Sequence, residues 1–102
     1  MKSCSFVVQK YIENPLLIDE RKFDIRVWVL LKEDMSLYFF KEGYLRMSSE
    51  KYCLDISNYF IHLTNNAVQQ HSKQYGNFEN GNQLSFDSFR GILKDKEAPV
   101  TF

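Results

Sequence analysis

Glycine and cysteine are scarce in this chain, four and two residues out of 102. Four scattered glycines build no glycine-rich loop of the Walker kind. Cys4 and Cys53 stand far apart, without metal-ligand spacing and outside any recognisable nucleophile motif, so neither a zinc knuckle nor thiol catalysis is expected. No secretory leader is seen, and the two thiols are expected to be reduced in a cytosolic protein. An excess of either charge is also missing. Thirteen basic residues balance thirteen acidic ones, which gives no general field for nucleic acid or for an acidic membrane. No apolar run approaches the length of a membrane span, and there is no repeat or low-complexity tract.

What is present is a core-forming composition. The chain is 44% hydrophobic and 16% aromatic, which argues against disorder. At 102 residues it is one domain or part of one, able to bury roughly two-thirds of its unfolded surface. The first half reads as strands. Phe6 to Ile12 is a short apolar strand, ended by Glu13-Asn14-Pro15, because the residue before proline disfavours helix. Lys22 to Leu31 is a central strand. The polar segment Lys32 to Ser36 is a hairpin connection, and Leu37 to Met47 is a second long strand with Gly43 at a bulge. The two long strands are expected to pair antiparallel. The second half is more helical. Thr64, Asn65 and Asn66 are N-cap residues ahead of Ala67 to His71. Residues 76–83 form a loop. Ser85 caps an amphipathic helix with Asp87 in its first turn and an apolar stripe of Phe86, Phe89, Ile92 and Leu93. The fold class is therefore α+β, a small antiparallel sheet with two or three flanking helices.

The central strand carries the chemistry. Phe23, Ile25, Val27, Val29 and Leu31 fall on one face by the period of two. Lys22, Asp24 and Arg26 fall together on the other, where three charges beside an apolar strand are costly unless paired or engaged by a ligand. Two cations and a carboxylate suit a phosphate-bearing ligand, and they equally suit a structural aspartate flanked by salt bridges at a sheet edge. Tyr38, Phe39, Phe40, Lys41, Tyr44 and Arg46 make an aromatic and basic stretch of the sort that stacks bases, but the zero net charge and the absence of an RNA-binding signature weigh against nucleic acid. His62 reads as a hydrogen-bonded structural histidine rather than a catalyst.

Four segments occur in order: Val7 to Ile18, Arg21 to Leu31, Phe40-Lys41-Glu42-Gly43-Tyr44-Leu45-Arg46, and His62-Leu63-Thr64-Asn65-Asn66. Together, from about Val7 to Leu93, they resemble the ATP-grasp region of the tubulin–tyrosine ligase family, the ligases that add tyrosine, glutamate or glycine to tubulin. The resemblance implies a partial ATP-grasp domain over residues 1–93 and a divergent tail over 94–102. It implies that Gln9, Lys10, Tyr11 and Ile12 form the hinge lining the adenine pocket. It further implies that Lys22 approaches the phosphates, Asp24 sits in the nucleotide pocket, and Arg26 supports the site and touches substrate. Arg46, the catalytic residue by this resemblance, would meet the carboxylate of the incoming amino acid or acceptor tail. Thr64 and Asn65 would lie beside the nucleotide, where helix capping and phosphate binding are compatible. Lys73 would help hold the amino acid, although as a residue alone it reads as a solvated lysine.

The implied reaction is ATP-dependent peptide-bond formation through an acylphosphate on the tubulin tail. The implied cofactors are ATP and Mg²⁺, and the partners are tubulin C-terminal tails, microtubules and a free amino acid, with no nucleic acid and no membrane. The implied location is the cytoplasm and cytoskeleton, cilium or basal body included. The family's magnesium-holding Glu-Val-Asn-like segment does not occur in this sequence, nor do its glycine-rich covering strands. The chain thus reads as a central piece of a ligase domain, expected to be inactive alone. The alternative is a non-catalytic module that docks nucleotide or acidic tails through Lys22, Arg26 and Arg46. Tyr75-Gly76 and Glu79 to Asn82 lean towards a tyrosine ligase and Asn65 to Gln69 towards a glutamylase, so the amino acid stays open.

Overall fold

The computed structural model describes residues 3–95. Its centre is a four-stranded antiparallel sheet in the order β1 (Leu17–Ile18), β2 (Arg21–Arg26), β5 (Tyr44–Lys51) and β6 (Gln83–Ser85). A separate two-stranded ribbon, β3 (Val29–Leu31) and β4 (Leu37–Phe39), is inserted between β2 and β5. Three helices follow: α1 (Tyr59–His62), α2 (Asn66–Gln69) and α3 (Phe86–Asp95). The α+β class and the antiparallel pairing of the two long segments hold.

Each expected long strand is two strands. The first breaks at Val27 and Trp28, and the second breaks at residues 40–43, with its main part running on to Lys51. Beside the second break the backbone approaches closely: a Cβ at Gly43 would stand 2.5 Å from the Arg26 carbonyl oxygen and 2.6 Å from Phe86 Cζ, a fit that glycine gives without any shift of its neighbours. The segment Phe6 to Ile12 is not a strand. It runs as exposed coil with no ladder partner among the described residues, so its apolar pattern had nothing to pair with.

The core lies between β1, β2, β5 and α3. Ile18, Leu45, Met47 and Phe89 are buried there, with Phe23, Leu84, Phe86, Ile92 and Leu93 packed against them. Leu45 and Met47 are wholly enclosed, which contributes roughly 1.5–3 kcal/mol for each side chain. The apolar stripe predicted for α3 is the one that packs. Ser85 caps it, its Oγ accepting from the Ser88 N–H at 3.1 Å, as favoured N-cap residues do. The polar tail expected from Lys94 begins within α3, and residues 96–102 lie outside the described residues.

α1 was not evident in the sequence, since four residues are too short for helical periodicity to register. Asn58 caps it, accepting from the Phe60 N–H at 3.0 Å. α2 is as short, and its N-cap Asn65 makes no side-chain capping bond. Both are held by tertiary contacts, as isolated helices of this length are unstable in water. A second buried cluster is polar. Arg21 is 3% exposed, donates to both carboxylate oxygens of Glu79 and to the Ser48 carbonyl at 3.0 Å, and lies 4.4 Å from the Phe78 ring centroid.

Candidate functional site

The antiparallel register of β2 and β5 sets Asp24 directly opposite Arg46. A facing pair of opposite charge is the favoured arrangement on a sheet surface. Arg46 uses one edge of its guanidinium: Nε donates to Asp24 Oδ1 at 2.7 Å and Nη2 to Oδ2 at 2.5 Å. Its Nη1 makes no hydrogen bond with the described residues. Burial works to raise the Asp24 carboxyl, but hydrogen bonds from Arg46 and Thr64, with the charges of Arg46 and Lys22, hold it below the usual carboxylate value. The bond with Asp24 pushes the Arg46 guanidinium further up.

Lys22 lies two residues back on the same face. Its Nζ donates to the His62 carbonyl at 3.0 Å and to the Tyr11 hydroxyl at 3.3 Å, and stands 4.9 Å from the Tyr11 ring centroid. Two of its three donors are thus engaged. His62 is hydrogen-bonded at both ring nitrogens. Nε2 lies 2.8 Å from the Asp55 carbonyl oxygen, and Nδ1 lies 2.7 Å from the Tyr11 hydroxyl. A carbonyl oxygen only accepts, so Nε2 donates to it. The His62 ring also meets Tyr11 and Tyr52 edge-on. Tyr11 thereby helps fasten the 3–16 coil to the sheet and α1, together with Tyr52, whose hydroxyl donates to the Glu13 carbonyl at 2.6 Å.

That coil walls a cleft of about 760 Å³ in which Gln9, Lys10, Tyr11, Ile12, Lys22 and Phe23 meet. Residues 9–12, expected to form a hinge, and Lys22 therefore share one depression, even though residues 9–12 are not a strand. The backbone N–H and C=O groups of residues 9–12 make no backbone hydrogen bond within the described residues. Lys10 forms an exposed ion pair with Glu13, worth little by itself.

Not every expected residue joins the cluster. Thr64 does: it is buried and is among the groups that lower the Asp24 carboxyl. Arg26 is exposed and stacks 5.9 Å over the Trp28 ring. Asn65 is exposed at the start of α2. Lys73 is exposed and makes no hydrogen bond or ion pair with the described residues. Sequence reasoning missed the buried polar side chains behind the site, Ser49, Gln69 and Asn82. Their one advance sign was the crowding of Asn and Gln among residues 65–83. Among the described residues no group of three or more His, Cys, Asp or Glu side chains converges as a metal site.

A small antiparallel sheet thus presents a lysine and a compensated carboxylate–arginine pair, with an open cleft beside the lysine. The match to the family model described as the tubulin-tyrosine ligase family runs over residues 1–99, and the chain belongs to that family. It is 49% identical over 102 residues to tubulin glycylase 3D of Tetrahymena thermophila, covering 94% of this chain and 10% of that protein. It is 51% identical over 70 residues to human protein monoglycylase TTLL8, 67% of this chain and 8% of the relative. It is 38% identical over 98 residues to the probable tubulin polyglutamylase TTLL9 of mouse, 93% of this chain and 21% of the relative. The chain spans about a tenth of the length of the first two and a fifth of the third.

Proposed function

We propose that this chain forms the hinge and phosphate-facing part of an ATP-dependent ligase that joins an amino acid to the C-terminal tails of tubulin. The observation that carries the reading is the convergence of Lys22, Asp24, Arg46 and Thr64 on one sheet face beside the cleft walled by residues 9–12. Glycine is the amino acid we infer, because glycylases of ciliate and human origin share about half of their matched residues with this chain. Action on tubulin carries with it a place in the cytoplasm and on the cytoskeleton.

The cleft suits ATP on its own terms. The unpaired backbone groups of residues 9–12 offer donors and acceptors to a purine edge, and Ile12, Leu16 and Phe23 offer apolar walls. Lys22 at the rim keeps one donor for a phosphate oxygen. ATP supplies the phosphoryl group: a tail carboxylate oxygen bonds phosphorus as ADP leaves, then the amino nitrogen bonds the acyl carbon as phosphate leaves and the nitrogen yields a proton to solvent. The chain's own part is positioning and charge compensation. Asp24 fixes the Arg46 plane through the Nε edge, which turns the Nη1 edge outward to receive a carboxylate. The described residues supply no ligand set for Mg²⁺, and no step is assigned through it.

The test uses the full-length protein with ATP, magnesium, tubulin and labelled glycine, glutamate or tyrosine, read by mass spectrometry of the tails. We expect glycine incorporation, a raised KM for ATP in Lys22→Ala and a raised KM for the amino acid in Arg46→Lys. Salt-sensitive capture of tail peptides with no incorporation of any amino acid would overturn the ligase reading in favour of a docking module.

A further inference from the structure

Gln69 is wholly buried on a four-residue helix, yet every polar atom of its side chain is engaged. Its Oε1 accepts from the Ser49 backbone N–H at 2.9 Å and from Ser49 Oγ at 2.6 Å, which anchors it to β5. Its Nε2 donates to the carbonyls of Phe60 at 3.1 Å and Leu63 at 2.7 Å. Those carbonyls belong to the end of α1, where helices leave acceptors without intrahelical partners. The residues between and just after them carry two groups of the site. The His62 carbonyl holds Lys22 Nζ at 3.0 Å, and the buried Thr64 is among the groups that lower the Asp24 carboxyl.

We infer that Gln69 is a positioning residue: its amide clamps residues 60–63 to β5 and so sets where the His62 carbonyl and Thr64 meet Lys22 and Asp24. The nucleotide part of this inference rests on the function proposed above. The clamp is directional. The oxygen end is fixed by two donors of Ser49, which leaves only the nitrogen end to face the two carbonyls, so glutamate at this position would set an oxygen against two oxygens. A buried amide satisfied at both ends, with no freedom to flip, transmits its placement to what it holds. Gln69 touches neither Lys22 nor Asp24, so its effect passes through the backbone of residues 60–64.

The experiment compares wild type, Gln69→Glu and Ser49→Ala in the full-length protein. Ser49→Ala disturbs the same buried cluster but leaves the two carbonyls clamped. Two readouts are taken on each: binding of a fluorescent ATP analogue, and the titration midpoint of the Asp24 carboxylate by carbon NMR. Retention of fold is checked by near-UV circular dichroism, and Gln69→Asn, which keeps the amide but withdraws it by one methylene, replaces Gln69→Glu if that variant unfolds. We expect Gln69→Glu to weaken nucleotide binding about tenfold and to move the Asp24 midpoint upward, with Ser49→Ala close to wild type in both. A folded Gln69 variant with an unchanged Asp24 midpoint would overturn the inference, as would equal losses in Ser49→Ala. Wild type that fails to bind nucleotide while the midpoint still shifts in Gln69→Glu would remove the proposed function and leave the clamp supported.

Discussion

Replacing Glu79 by glutamine should unfold this protein far more readily than its mild chemistry suggests. Arg21 is 3% exposed and its charge is met by one carboxylate, that of Glu79, whose side chain is 10% exposed. The other contacts of the guanidinium, the Ser48 carbonyl and the face of Phe78, are neutral. Its Nε already has no hydrogen-bond partner among the described residues. Glutamine retains the shape and one acceptor but removes the compensating charge, and stranding a buried charge costs about 3–5 kcal/mol. A small domain holds in total about 5–15 kcal/mol, so the loss is a large fraction of the whole. Urea unfolding followed by circular dichroism should show a lower midpoint with an unchanged slope. The double variant Arg21→Met with Glu79→Leu should recover most of the loss, because an apolar pair of similar volume needs no compensation. A loss below about 1 kcal/mol in Glu79→Gln, the range of a solvent-exposed ion pair, would refute the reasoning.

Asp24 is held below its ordinary value of 3.8, so the native state binds fewer protons than the unfolded one, and the stability this provides is present above that value and lost as pH falls through the native midpoint. Asp24→Asn should therefore flatten the acid limb of a stability-against-pH curve below 3.8, and an unaltered limb would remove the pairing argument. In Gly43→Ala the new Cβ would overlap the Arg26 carbonyl and Phe86, and urea unfolding should show a cost of about 1–3 kcal/mol. Tyr11→Phe deletes the hydroxyl that meets His62 and Lys22, and limited proteolysis should then cut residues 3–16 faster. Its global stability should fall by about 1 kcal/mol, the worth of an ordinary hydrogen bond. Trp28, Phe39 and Phe40 are 45%, 62% and 58% exposed along the β3–β4 ribbon. The isolated chain should therefore bind hydrophobic dyes, and Phe39→Ser with Phe40→Ser should reduce the signal.

Local pattern carried much of the fold. The stripe of Phe86, Phe89, Ile92 and Leu93 and the Ser85 cap depend on neighbours within a few residues, and both are found as expected. The shared face of Lys22 and Asp24 followed from the two-residue period. What escaped was the detail set by distant partners. The facing of Asp24 and Arg46 is a register between strands, 22 residues apart in sequence. The Arg21–Glu79 pair spans 58 residues. Phe6 to Ile12 has the composition of a strand, but a strand needs a partner, and apolar content does not supply one. The close fit of Gly43 against the Arg26 carbonyl and Phe86 joins segments far apart in the chain.

The two strand pairs have a consequence for how the chain assembles. Leu31 with Leu37, Val29 with Phe39, Asp24 with Arg46 and Arg21 with Lys51 are nested pairings that open outward from one tight turn. That turn is built locally: Lys32 N–H donates to the Ser36 carbonyl at 2.9 Å, and Asp34 accepts from both the backbone N–H and the hydroxyl of Ser36. Once it closes, each successive pair of this hairpin needs only a short further loop closure, the cheapest order in chain entropy being from the tip of the ribbon inward. The turn thereby keeps the register for residues it never touches. One residue inserted between Lys32 and Ser36 that slipped the whole ladder by one position would send Asp24 and Arg46 to opposite faces. An insertion in a solvent-exposed tip would thus dismantle the charge pair at the other end of the hairpin, and slow refolding would be its kinetic mark.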